Sequence, residues 1–252
     1  TAIPLEQEVL NMIPGSKFIY CADAGLGSYN IRKFNSMGGR AFIVTQSIKK
    51  LSDTLKKAVF NDCDYKLLSD DSPVTIEEMK TFDRCAPDNL ALYKDSAYKV
   101  IAADKALDLG LYEEVVLKNG RTVQRKAKGI LKQRIIITFS RKMMEYQKAV
   151  RDRQIERAKK LLALKDPEEI KKGPNDVRRF MKRVSKTKSG EKAVVEYTLD
   201  ESKIAEEEKY DGYYAVATNL EDPAKDILAV SQKRYQIEDC FRIIKTNFDG
   251  RP

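Results

Sequence analysis

The order of apolar runs and turns in this chain predicts an α/β fold interrupted by a mixed, basic insertion. Three observations carry that expectation. A strand, helix, strand unit fills residues 17–47, and α/β character returns after residue 206. Between them, residues 118–192 hold 25 Lys or Arg against 8 Asp or Glu, a net of +17 within a 252-residue chain whose total is +9. The expected division is therefore 1–58 for the first part of the core, 59–205 for a mixed α/β, β-rich basic insertion, and 206–252 for the last core strand and a helix.

The elements follow in chain order. KFIYCADAG (17–25) is a short apolar run rich in β-formers that ends at Asp23 and a Gly turn, so it reads as a buried strand. Ser28 or Asn30 can cap the short helix SYNIRKFNSM, which Gly38 and Gly39 close. RAFIVTQS (40–47) is the next strand, and a connection of this length points to parallel pairing. NDCDYKLLSDDSP, from residue 61, is acidic and turn-rich. In EVVLKNGRTVQRK, Asn119-Gly120 between alternating runs signals a hairpin. RIIITF (134–139) and AVVEYTL (193–199) are further strands. Between them RKMMEYQKAVRDRQIERAKKLLAL is long enough for a six-turn helix, with Ile155, Ala158 and Leu162 on one face and Arg153, Arg157 and Lys160 on the opposite one. KKGPNDVRRFMKRVSKTKSG (171–190) reads as a basic loop or short helix. GYYAVATN (212–219) is a buried strand, and RYQIEDCFRIIK (234–245) is a helix with an apolar stripe.

Composition excludes several kinds of chemistry. The chain has no His, which removes Ser-His and Cys-His nucleophile pairs and every His-ligated metal site. Its four cysteines form no CxxC pair, a pattern of a reducing cytosol rather than of a disulfide framework or a zinc site. No run of 18 apolar residues exists, so no membrane span is expected. The opening residues, TAIPLEQEVL, have neither an initiator Met nor the form of a signal peptide, and the chain is expected to be a fragment of a longer protein. A basic block of this size suits a polyanion, most often nucleic acid, although a solvated Lys-rich surface has the same composition.

Only carboxylates, Lys, Tyr or a hard metal ion remain for hydrolytic work. On a helical wheel with Arg234 at zero, Glu238 falls at about 40°, Lys245 at about 20°, Arg242 at about 80° and Asp239 at about 140°. Glu238 therefore borders the apolar stripe of Ile237, Phe241, Ile244 and Phe248, among cations, and Asp239 points elsewhere. Salt bridges at i,i+4 explain those charges at a few tenths of a kcal/mol each. Hard-metal chemistry on phosphodiesters instead needs carboxylates converging from different elements, which Asp23 at a strand end and Glu238 on this helix would supply.

Arg234, then three residues, Glu238, then six residues and Lys245 match the signature helix (Tyr, Arg, Glu, Lys) of bacterial insertion-sequence transposases of the DDE type. FIYCADAGLGSYNIRKFN resembles the strand and turn that carry their second catalytic Asp. DGYYAVATN and RYQIEDCFRIIKTNFDGRP are similar to their final core strand and helix. With AFIVTQSIKK and RIIITFSRKMMEYQ, the resemblance covers most of the chain.

It implies a ribonuclease H-like catalytic core with a β-rich insertion before the last catalytic Glu, and cut-and-paste DNA transposition. Asp23 and Glu238 would then be catalytic metal ligands for a pair of Mg²⁺ ions, with Mn²⁺ as substitute. Arg234 and Lys245 would contact phosphates, joined in binding DNA by Ser231, Arg242, Arg153, Arg157 and Lys160. Ser231 stands where the family has its Tyr, with a shorter reach. No strand-borne Asp precedes Asp23, so the first catalytic Asp is expected upstream of Thr1, and residues 1–252 are expected to bind DNA without cutting it. The implied partners are double-stranded DNA, as transposon ends and target, and a second copy of the chain in a homodimer on that DNA. The implied location is the bacterial cytoplasm at the nucleoid. Two alternatives stand beside this reading: a catalytically inactive, transposase-derived DNA-binding protein, and a basic structural or RNA-binding module.

Overall fold

The computed structural model describes residues 2–163 apart from 14 and 16, residues 176–186, and residues 194–243 apart from 235, 237, 238 and 241. The strands in chain order are β1 (Ile19–Ala22), β2 (Ala41–Thr45), β3 (Lys66–Leu67), β4 (Ala97–Ala102), β5 (Lys105–Val116), β6 (Thr122–Leu131), β7 (Arg134–Phe139), β8 (Met181–Lys186), β9 (Val194–Leu199) and β10 (Tyr213–Thr218). The α-helices are α1 (Ile3–Met12), α2 (Tyr29–Phe34), α3 (Asp53–Phe60), α4 (Ile76–Thr81), α5 (Leu90–Lys94), α6 (Arg141–Ala163), α7 (Glu201–Glu208) and α8 (Ala224–Gln232). The fold is mixed α/β. Residues 1–76, 97–138 and 214–252 form one compact unit, and residues 77–96 and 139–213 form another.

The first unit is built on a six-stranded sheet in the order β1-β2-β10-β7-β4-β3. β1 and β2 pair in parallel, Ile19 opposite Ala41 through Ala22 opposite Val44, as the connection length implied. β10 lies antiparallel to β2. β3, β4 and β7, from within the 59–205 segment, are hydrogen-bonded into this same sheet.

The continuous apolar run of β10 follows from its central place, where both faces are covered: residues 215–218 are all buried. β1 does not have the burial that its composition suggested. It ends the sheet, Ile19 is 49% exposed, and only Ala22 is buried. A short run of β-formers signals a strand but not its position in the strand order.

Helix α2 begins as its sequence dictates, with the Ser28 hydroxyl accepting from the Ile31 N–H. Ala224, Ile227 and Leu228, spaced for one helical face, pack α8 on Ile43, Ile136 and Val216 of the sheet. Burial of side chains such as Ile227 and Leu228 stabilises this packing by about 1.5–3 kcal/mol each.

β5 and β6 form a two-stranded hairpin of their own. Gly120 takes a left-handed φ of 77° at its turn, and the Asn119 side chain accepts from the Arg121 N–H.

In the second unit the 23-residue α6 buries Ala158 against Phe180 and Met181, with Ile155 and Leu162 alongside. Residues 176–186 of the stretch expected as loop or helix form a short 3₁₀ turn (Val177–Phe180) and then β8, paired antiparallel with β9. Phe180 and Met181, both fully buried, draw that segment onto α6. No helix among the described residues is long and apolar enough to cross a membrane.

Candidate functional site

Asp23 follows the last residue of β1. Its Oδ1 accepts hydrogen bonds from the N–H groups of Gly25 (3.0 Å) and Leu26 (3.2 Å), which pin the carboxylate to its own turn after the strand. A Cβ on Gly25 would lie 3.3 Å from that oxygen, and one on Gly27 would lie 3.2 Å from Val44 Cβ. Gly27 therefore lets the loop fold tightly against β2, and Gly25 leaves room for the Asp23 carboxylate. The Gly27 carbonyl accepts from Arg32 Nε at 3.0 Å, while Arg32 Nη2 and Nη1 donate to the side-chain oxygens of Gln46 (2.8 Å) and Gln133 (3.3 Å). One buried guanidinium thus ties the Asp23 loop to the segments after β2 and before β7.

Across 212 positions of sequence, Arg234 reaches the same strand ends. Its Nη1 donates to the Ala22 carbonyl (3.1 Å) and to Thr45 Oγ1 (2.8 Å), and Thr45 Oγ1 also shares a 2.8 Å hydrogen bond with the Tyr214 hydroxyl. Three strands, β1, β2 and β10, are joined there through one cation and two hydroxyls. Burial pushes the nearby Cys21 thiol above its ordinary pKa, and the Arg234 charge partly offsets that rise. Tyr20 is raised first by burial and then by the carboxylates of Glu6 and Asp23.

The remaining predicted residues are placed as follows. Ser231 is buried, three residues beyond Leu228 on the face that α8 packs against the sheet. Described residues of the 234–245 stretch are helical, and there Arg242 pairs with Asp239 at 3.0 Å on an exposed surface. Glu238 and Lys245 lie outside the described residues. Arg153, Arg157 and Lys160 belong to the second unit, exposed on the face of α6 opposite Ala158.

Asp23 offers a hard divalent cation a suitable donor, an exposed carboxylate whose Oδ2 takes no hydrogen bond among the described residues. Among those residues no group of three Asp, Glu or Cys side chains converges. Arg32, Gln46 and Gln133 escaped the sequence reading, because nothing local distinguishes a buried Arg in a short helix from a solvated one. No family model, no curated protein and no solved structure matches the chain.

Proposed function

We propose that the chain is a DNA transposase of the DDE type, acting on insertion-sequence ends through a ribonuclease H-like core that holds a basic insertion. The observation that carries this reading is the pair of hydrogen bonds from Arg234 to Ala22 and Thr45. They hold Arg234 at the end of the strand that runs into Asp23, which supports joint use of Asp23 and Glu238.

Asp23 and Glu238 would hold Mg²⁺, which when bound activates the attacking oxygen and stabilises the leaving one. The chain itself supplies orientation and charge. The Gly25 and Leu26 N–H groups fix the Asp23 carboxylate, Arg32 anchors its loop, and Arg234 locks the strand ends on which that loop stands. Water attacks the phosphodiester first, and the freed 3′ hydroxyl then attacks target DNA. Asp239, paired with Arg242 at the surface, takes no part.

The test is Mg²⁺-dependent cleavage of a labelled transposon end by the full-length protein, with Glu238→Gln and Asp239→Asn assayed in parallel. Glu238→Gln abolishes cleavage and keeps DNA binding, because it removes a ligand charge without removing a cation. Asp239→Asn stays within about a few-fold of wild type, as a surface change of under ~0.5 kcal/mol should. A dead Asp239 variant beside an active Glu238 variant refutes the assignment. DNA binding by a wild-type protein that never cleaves favours the inactive, transposase-derived DNA-binding alternative.

A further inference from the structure

Arg32 is 6% exposed, yet its three hydrogen bonds all end on neutral oxygens: the Gly27 carbonyl and the side chains of Gln46 and Gln133. A guanidinium carries five N–H groups, so two remain. Buried charge is costly unless an opposite charge answers it, and among the described residues Arg32 forms no ion pair.

The surroundings add a second cation, next to a carboxylate that accepts from the Gln133 backbone. The Gln133 carboxamide that accepts from Arg32 donates to the Ala103 carbonyl (2.7 Å), and the Gln133 N–H donates to Asp104 Oδ1 (3.1 Å). Tyr29, one turn before Arg32 on the same face of α2, donates through its hydroxyl to the Ala106 carbonyl (3.3 Å). Lys105 stands between these anchored neighbours, opposite Leu131 in the β5–β6 register, so its backbone runs beside the Tyr29 and Arg32 turn of α2. It is exposed and forms no ion pair among the described residues. Asp104, the adjacent carboxylate, has one oxygen committed to the Gln133 backbone.

From this geometry we infer an oxyanion site, in which Arg32 and Lys105 together take a phosphate group beside the loop that carries Asp23. Burial lowers the pKa of both cations, and the Arg32 charge lowers that of Lys105 further, a like-charge strain that an anion between them would relieve. Arg32 is the buried, preorganised half and Lys105 the accessible half that meets the ligand. The phosphate can come from a DNA backbone or from a free phosphate compound. The first source rests on the function proposed above, and the site itself does not.

Lys105→Gln is the informative variant, because an exposed side chain can be exchanged with little risk to folding, whereas Arg32 also braces three segments. Two measurements use the whole chain. Thermal unfolding is followed in inorganic phosphate and in chloride at matched ionic strength, and duplex DNA affinity is followed across salt. The site predicts a phosphate-specific rise in Tm that Lys105→Gln loses, and a fall of about one in the slope of log K against log salt. The Tm effect lost in a protein whose wild type binds no DNA would keep the site, assign it to a free phosphate compound and defeat the transposase reading. Wild type and Lys105→Gln behaving alike in both measurements would overturn the site while leaving the Asp23 and Glu238 assignments untouched.

Discussion

Gly212 is held in a left-handed conformation with φ at 81°. A Cβ there would lie 2.7 Å from Phe139 Cε2, 2.9 Å from Met144 Cβ and 3.0 Å from the Ser140 carbonyl oxygen. The residue is also fixed through its backbone, donating to Gln147 Oε1 (2.7 Å) and accepting from the Ser140 N–H (3.0 Å). A side chain therefore meets an unfavourable φ and a wall that cannot retreat without breaking hydrogen bonds. Gly212→Ala should destabilise the protein by about 2–4 kcal/mol, the sum of a left-handed penalty and an overpacking penalty. The midpoint of urea unfolding measures it, and a shift of under ~0.5 kcal/mol would show that the segment adapts. The neighbouring Asp211 has a related role: its carboxylate lies 2.5 Å from the buried Arg151 guanidinium, a pair that fixes α6 to the turn before β10. The sequence around GYYAVATN reveals the strand plainly. It does not reveal the pair, because Arg151 sits among cations that look equally solvated and its partner lies 60 positions away.

Among elements, the turn that follows β3 shows how exposed charge still shapes a junction. Asp71, at a positive φ of 63°, accepts from the Tyr98 hydroxyl on β4 at 2.6 Å and pairs with Lys225 of α8 at 3.3 Å. The Tyr98 hydrogen bond, opposed by burial and helped by Lys225, holds the Asp71 carboxyl below its usual pKa. A depressed carboxylate stabilises the folded state above its unfolded value of about 3.9, and that contribution is lost as pH falls through the lower folded value. Asp71→Asn keeps a residue that tolerates the left-handed backbone and removes only the charge. Wild type should unfold at a higher temperature than Asp71→Asn at pH 6, with the gap closing as pH drops below about 4. A gap that persists unchanged at pH 2.5 would mean that the charge is not its source. Lys99 makes a comparable link, its Nζ donating to the carbonyls of Ala58, Asn61 and Cys63 at and beyond the C-terminal end of α3. A lone Lys in a strand pattern announces neither this burial nor its three acceptors.

For the whole molecule, what the sequence disclosed was what local chemistry decides. The Ser28 cap, the Asn119-Gly120 hairpin, the continuous run of β10 and the packed stripe of α6 each need only neighbours in the chain, and each has the expected form. Strand order, the edge position of β1 and the buried Arg32 depend on contacts over tens to hundreds of positions, which no local pattern records. Of the candidate site, Asp23 and Arg234 stand out in the sequence as a strand-end carboxylate and a motif Arg, but the bonds of Arg234 to Ala22 and Thr45, 212 and 189 positions away, and the polar frame around Arg32 leave no local signal.

Charge is distributed at this same scale, with the +17 of residues 118–192 set against −8 over the remainder. On α6 the segregation is finest: Ala158 is buried against Phe180 and Met181, while Arg153, Arg157 and Lys160 stand exposed opposite them. Their exchange for Ala keeps a good helix former at each position and leaves the packed face alone, so folding should survive. If this face meets DNA, each lost phosphate contact removes about 0.9 from the slope of log K against log salt, and the triple variant should lose about 2–3. The fall should be the same for duplexes of unrelated sequence, since phosphates carry no base identity. Affinity for two such duplexes, measured between 50 and 200 mM salt for wild type and variant, decides it. An unchanged slope would make the face a solvated surface.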